Sequence, residues 1–469
     1  MLTYVFELNQ KRPLYEQLYT FLRRDIETGR LKSGERLPSK RELASNLKVS
    51  VITVENAYGQ LTAEGYIRPE ARRGFFVQTL EPGPVKLPFS APGKKFKDLK
   101  PVVYKYDFAT NAVDTSCFPF STWAKLMREL LSEGDGRLLS TVDPQGAYPL
   151  RKAIVRHLYE FRGIEAVPEQ IVVGAGAEYL TGLLVQLLGR EAGYAMENPG
   201  YLKIHKIIQK NGAFVLPISL DAQGLRMEEL CASGARVVHI TPSHHFPLGI
   251  VMPAARRMAL LSWALESKGR YIIEDDYDSE FRFSGRPISA LQGLDGGERV
   301  IYMNTFTKSL APSFRIGYLV LPPHLLKRYR EEFSFCASTV SSFEQYALAR
   351  FMERGYFGRH ISRMRNVYKA RRDALIQAAS TCSFSSRIEL SGEDAGLHFL
   401  MRVKGDMPEE ELVFRAKEKG VRVYGLSDYY IGKEKPRTQH SSTLVLGYAM
   451  LQPEEMRPAF SLLEQAWGY

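Results

Sequence analysis

The chain has 469 residues, 45 % hydrophobic and 25 % charged. This is the balance of a water-soluble protein of two to four domains, and it argues against disorder. No apolar run approaches the roughly 18 residues of a bilayer span, the first residues lack the basic-then-apolar pattern of a secretory leader, and Cys117, Cys231, Cys336 and Cys382 form no C-x-x-C pair; a cytoplasmic protein without membrane, zinc or disulfide framework is therefore expected. The net charge of +11 is uneven, with 19 Lys+Arg against 11 Asp+Glu in residues 1–105, which suits either a polyanion-binding face or a solvated basic surface.

From Pro13 to Gly29, Leu14, Leu18, Leu22 and Ile26 recur every fourth residue and predict a helix with one buried face. Ser39-Lys40-Arg41-Glu42 has the spacing of a capping box and opens a second helix of about nine residues. Ser50 caps a third that runs to Glu64, with Val54, Ala57 and Leu61 inward and Val51, Ile52, Thr53 and Asn56 outward. Short helix, tight turn and longer helix predict a helix-turn-helix whose third helix meets base edges, with Val51 and Ile52 suited to thymine methyl groups. Gly65–Arg68 and Gly74–Val77 flank Arg72-Arg73, as in a hairpin wing whose arginines meet phosphate or the minor groove.

This stretch resembles the winged helix-turn-helix of the GntR regulators, through Pro-Leu-Tyr-Glu-Gln-Leu (13–18), Leu-Lys-Ser-Gly-Glu-Arg-Leu-Pro-Ser-Lys-Arg-Glu-Leu-Ala (31–44), Val-Ser-x-x-Thr-Val (49–54) and Leu-Thr-Ala-Glu-Gly-Tyr (61–66). The resemblance implies Arg41, Ser50, Thr53, Arg73 and Gly74 as contacts to double-stranded promoter DNA. Val51 stands where the family usually has arginine, so the base read there differs. Residues 1–79 are assigned to this domain. A tether over 80–105 follows, with five prolines and six lysines and no apolar period; its lysines either attract phosphate or only solubilise.

Beyond residue 106, strand-like runs at 170–173, 193–196, 213–216, 236–240, 271–273 and 300–303 alternate with helical stretches. The expected fold class is α/β, with a mostly parallel sheet covered on both faces (about 140–330) and a smaller C-terminal α+β part (about 340–469). Ligands of such sheets sit beyond the carboxyl ends of the strands. Asp275 ends one strand and suits a pyridine nitrogen. Tyr277 suits a ring hydroxyl, Lys308 an imine, Arg315 a phosphate with Thr305 and Thr307 on the same turn, and Tyr201 a ring face. Val173-Gly174-Ala175-Gly176-Ala177-Glu178 is a strand, a small-residue turn and a helix start, where free N–H groups favour phosphate. Together these are the parts of a pyridoxal 5'-phosphate pocket.

The ensemble resembles fold-type I aminotransferases, and more closely the aminotransferase-like half of the MocR/GabR subfamily of GntR regulators. The matching segments are Asp143–Gly146 with Leu150-Arg151, Asn198-Pro199-Gly200-Tyr201, Thr241–Gly249, Glu274–Asp278 and Thr307–Pro312. The resemblance implies Lys308 as imine lysine, Asp275 as ring-nitrogen acid, Tyr277 as hydroxyl partner, Tyr201 as stacking ring, and Arg315 with Gly176 and Ala177 as phosphate cradle, in a homodimer. His245 and Leu248 replace a frequent glutamine and threonine, which marks His245 as an effector contact, and Val445 stands where aminotransferases keep an arginine for the substrate carboxylate. Arg422 and Arg437 are alternative partners for that carboxylate or plain surface residues. The expected function is a transcriptional regulator that senses a small amine or amino acid by external aldimine formation at Lys308. The alternatives are an active aminotransferase that regulates its own synthesis, and a sensor of pyridoxal 5'-phosphate itself.

Overall fold

The computed structural model describes residues 2, 4, 6, 12–80, 103–110, 112–283, 288–432 and 441–468. It divides into two compact units, Met1–Pro101 and Val102–Tyr469. Most of the expected tether lies outside the described residues.

The first unit is built on three helices, α1 (Leu14–Glu27), α2 (Lys40–Leu47) and α3 (Val51–Ala63), with strands β1 (Arg36–Leu37), β2 (Ile67–Glu70) and β3 (Gly74–Val77) in the order β1-β3-β2. Leu18, Leu22 and Ile26 of α1 meet Leu43, Val54, Ala57 and Leu61 in one buried cluster and form the inward face, while Leu14, the first of the expected four, is half-buried at the helix start. Ser39 and Glu42 exchange both capping hydrogen bonds at the start of α2. Tyr58, also buried, donates its hydroxyl to the Pro38 carbonyl at 3.0 Å and ties α3 to the turn before α2.

In the second unit an eight-stranded sheet runs through β5 (Ile171–Gly174), β6 (Tyr194–Asn198), β7 (Val215–Asp221), β8 (Gly224–Leu225), β9 (Val237–Ile240), β10 (Tyr271–Asp275), β11 (Val300–Thr305) and β12 (Gly317–Val320), while β4 (Tyr106–Asp107) lies apart. The spatial order is β5-β12-β11-β10-β9-β6-β7-β8. The run β11-β10-β9-β6-β7 is parallel, and β12 is antiparallel to both its neighbours. Alternation shows that both faces are covered: Ile171 and Val173 join one apolar cluster and Val172 another. The expected strand at 213–216 begins at Val215 instead, because Ala213 and Phe214 precede the ladder with β6.

A second sheet, β13 (Ile388–Ser391), β14 (His398–Lys404), β16 (Tyr424–Gly425) and β17 (Ser441–Gly447), packs with helices Tyr356–Thr381, Glu409–Glu418 and Pro453–Trp467; β15 (Val421–Arg422) pairs with β4. Where the two parts adjoin, Gly249 and Gly392 approach so closely that a Cβ on Gly249 would lie 2.8 Å from the Gly392 Cα.

The end of β10 is anchored by charge. Arg162, buried at the end of helix Tyr148–Arg162, lies 2.8 Å from the Asp276 carboxylate and 2.6 Å from the Ser243 hydroxyl, and Tyr302 donates to Asp276 at 2.5 Å. Among the described residues Arg162 is the cation that forms a salt bridge with this carboxylate, and Arg162→Met is expected to lower the unfolding free energy by about 3–5 kcal/mol in urea titration; a loss below about 1 kcal/mol would contradict the anchoring role.

Candidate functional site

In the first unit Arg41 is exposed on the first turn of α2, and Ser50 and Thr53 open α3. The Ser50 oxygen accepts the Thr53 N–H at 3.1 Å, so its side chain caps the helix. Val51 and Ile52 are 43 % and 67 % exposed and so open to an apolar contact. Lys40 pairs with Glu55 of α3 at 2.6 Å and lies 5.6 Å from the ring centroid of Phe75 in β3, which gathers the first turn of α2, the first half of α3 and the wing. In that wing Arg72 adopts φ +62° and Gly74 φ +110°, and exposed Arg73 pairs with Glu70 at 2.6 Å.

In the second unit a cavity of about 220 Å³ opens at the carboxyl ends of the central strands. Its wall includes Ala177, Tyr201, Asp275, Tyr277, Thr305, Thr307, Lys308 and Arg315, and Gly176 adjoins it: a Cβ there would lie 3.3 Å from the Arg315 guanidinium. The register of β12 explains the last meeting. Gly317 stands opposite both Gly174 and Thr305, so Arg315 reaches the same sheet edge as the turn after β5. Arg315 holds φ +52°, donates to the Ala175 carbonyl at 3.2 Å and pairs with Glu178.

Lys308 is 6 % exposed and donates to the Thr110 carbonyl at 3.2 Å. Burial lowers its pKa to about 8, against a partial restoring effect of Asp278. Asp275, also buried, lies 3.2 Å from His239 Nε2. Burial and then the Asp278 charge raise the Tyr277 phenol well above its ordinary range, so it is a neutral hydrogen-bonding group. Next along the sheet, burial raises Glu197 to about 7, although Thr241 donates to it from both N–H and hydroxyl.

Two of the three expected effector contacts lie away from the cavity wall, and the third is not among the described residues. Arg422 stands between the rings of Tyr104 and Tyr424 and 3.6 Å from Asp107, away from the cavity wall. His245 is buried 3.6 Å from Glu197, its pKa lowered to about 3 by burial, and is not part of the wall either. Arg437 lies outside the described residues. Sequence reasoning missed Glu178, Lys203, Thr241 and Phe246 in the wall, His239 behind Asp275 and the Thr110 carbonyl. Of these, only the alternation of β9, which carries His239, left a readable signal.

Residues 14–77 match the family described as Bacterial regulatory proteins, gntR family, and residues 104–444 match Aminotransferase class I and II. The chain is similar to the HTH-type transcriptional regulator YhdI of Bacillus subtilis (strain 168), 39 % identical over 100 % of this chain and 98 % of that protein. It is also similar to the protein of Rhizobium meliloti named Probable rhizopine catabolism regulatory protein MocR, 34 % identical over 97 % and 94 % of the two chains. Among solved structures, the multiple substrate aminotransferase (MsAT) of Thermococcus profundus matches 77 % of this chain and 90 % of its own, with a TM-score of 0.67 and 27 % identity.

The aminotransferase class I and II fold implies dependence on pyridoxal 5'-phosphate, and the cavity's chemistry fits that group. A desolvated amine, a buried carboxylate and a phenol share its wall, and a guanidinium meets a helix start that glycine leaves open. If burial sets the state of Lys308, its reductive alkylation in cofactor-free protein should rise with pH to a midpoint near 8; a midpoint at the ordinary lysine value of about 10.4 would contradict the desolvation.

Proposed function

The chain belongs to the MocR/GabR subfamily of GntR-type regulators, and on that premise we propose that this transcriptional regulator senses a small amine or amino acid through pyridoxal 5'-phosphate held at Lys308. The observation that carries the reading is the gathering of Lys308, Asp275, Tyr277 and Arg315 in one cavity wall. When bound, the cofactor supplies an aldehyde that condenses with primary amines and a ring that withdraws electrons.

The chain's own residues have separable tasks in this reading. Lys308, with its pKa near 8, gives up a proton close to neutral pH and offers a nucleophilic amine. Asp275, kept in place by His239, holds a ring N–H. Arg315, now paired with Glu178, would hold the phosphate together with the helix start at Gly176 and Ala177, with Thr305 and Thr307 beside them. Tyr201 lies edge-on to Phe246, ring centroids 5.5 Å apart, and offers its face to the pyridine.

With the cofactor bound, an effector amine would compete with Lys308 for its aldehyde, and Lys308 would then need another partner. Coupling to DNA requires that the effector bind two domain arrangements with different affinity. In a homodimer, two α3 helices would then read paired half-sites of promoter DNA. Val445, buried and apolar on β17, supports sensing over turnover, because it offers no charge to a substrate carboxylate.

The test follows cofactor absorbance and promoter-DNA retardation together across a panel of primary amines and amino acids. At least one compound should change both, and Lys308→Ala should lose the borohydride-stable label and the amine response while it keeps basal DNA binding. An undiminished amine response in Lys308→Ala, or sustained conversion of an amino acid with a 2-oxo acid, would count against the reading. In the first unit, Arg41→Ala is expected to weaken DNA binding at least about tenfold with the cofactor spectrum unaltered, the size of one lost charged hydrogen bond; unchanged retardation would remove Arg41 from the interface.

A further inference from the structure

Next to Tyr277, and not among the residues that line the cavity, His244 and Asp278 form a buried pair, each 2 % exposed. His244 Nδ1 lies 2.9 Å from Asp278 Oδ2 and 3.1 Å from the Tyr277 hydroxyl oxygen. The pair is locked in place. A Cβ on Gly396, which sits at φ +75°, would lie 2.0 Å from His244 Cε1 and 2.5 Å from Asp278 Oδ2, so only glycine leaves room for it.

Two observations select one tautomer of the imidazole. A carboxylate only accepts hydrogen bonds, so the nitrogen facing Asp278 carries the proton. The opposite nitrogen, Nε2, is buried without a hydrogen-bond partner among the described residues, and an unpaired lone pair there costs less than an unpaired N–H. With the proton on Nδ1, the Tyr277 oxygen faces a donor, and its own hydroxyl hydrogen is left for another acceptor. Among the described residues the competing acceptor is Asp278, which hydrogen-bonds the Tyr277 hydroxyl and for which the His244 N–H competes. Tyr277 lines the cavity.

We infer that His244, oriented by Asp278 and seated on Gly396, is a positioning residue that keeps the Tyr277 hydroxyl a hydrogen-bond donor toward the cavity and so toward the ring oxygen of the bound cofactor. The inference rests on the placement of that ring oxygen at Tyr277 proposed above. The charged and titratable groups around Tyr277 come from four places: His244 after β9, Asp275, Asp276 and Asp278 around its own turn, Lys308 after β11, and His398 on β14. His398 donates Nε2–H to the Pro247 carbonyl at 3.0 Å, and its ring centroid lies 5.0 Å from that of His244.

The test is the pH titration of the visible absorbance of cofactor-loaded full-length protein. A donor to the ring oxygen stabilises its deprotonated form, so loss of that donor raises the midpoint. Tyr277→Phe and His244→Leu should both raise it by about one to two pH units, the size of one hydrogen bond to a charged acceptor. In His244→Leu the carboxylate of Asp278, deprived of its N–H, captures the tyrosine hydrogen. His244→Asn, which can present an N–H where Nδ1 stood, should titrate as the wild type, whereas His244→Gln, which presents it where Nε2 stood, should shift. This Asn/Gln contrast poses the same question if the leucine variant does not fold. A shift in Tyr277→Phe with none in His244→Leu or His244→Gln overturns the inference alone. No shift in Tyr277→Phe overturns the placement of the ring oxygen and the inference with it.

Discussion

An amine withdrawn from water loses most of what favours its charge, and the second unit turns on that one desolvation. Lys308 sits on the turn after β11 with the Thr110 carbonyl as its hydrogen-bond acceptor, and burial outweighs the nearby Asp278 charge in setting its state. Without this burial the residue would be one more surface lysine, fully charged near pH 7 and inert toward aldehydes. The carboxylates at the end of β10 are buried at the same edge, and each has a named partner: His239 for Asp275, Arg162 and Tyr302 for Asp276, His244 for Asp278. Such pairing is what makes a dense group of buried charges tolerable.

The sheet order brings these groups together. Parallel β9, β10 and β11 point their carboxyl ends to one edge, which carries Thr241, Asp275 and Thr305. One antiparallel strand, β12, lies between β11 and β5 and begins where they end, so the arginine two residues before it meets the glycine turn after β5. A lysine and an arginine seven residues apart in sequence therefore reach one cavity from two different turns. The reader at the other end of the chain follows simpler rules, with a capping box, a helix cap at Ser50 and a three-helix core.

What was legible in the sequence was local. The four-residue period of α1, the capping box at Ser39 and the strand end at Asp275 each declare themselves within a dozen residues, whereas Thr305, expected on a turn, ends β11. Contacts across long stretches of chain did not. Thr110 and Lys308 are 198 residues apart, the Thr339 hydroxyl that accepts the Ala175 N–H is 164 away, and Gly396 gives no hint of the His244 ring seated against it. The four residues of β12 are too few to show a period, and β7 reads weakly because proline and polar residues interrupt its apolar positions. Arg422, read as one alternative for an effector carboxylate, is engaged by Asp107 and the Tyr104 ring, more than 300 residues away in sequence, and by the nearby Tyr424 ring.

The most direct test is chemical. Full-length protein loaded with pyridoxal 5'-phosphate is reduced with borohydride and digested, and the labelled peptide is identified by mass spectrometry. A single phosphopyridoxyl group on Lys308 is the predicted result. Label spread over exposed lysines such as Lys327, or none at all, would contradict the claim that this one desolvated amine holds the cofactor.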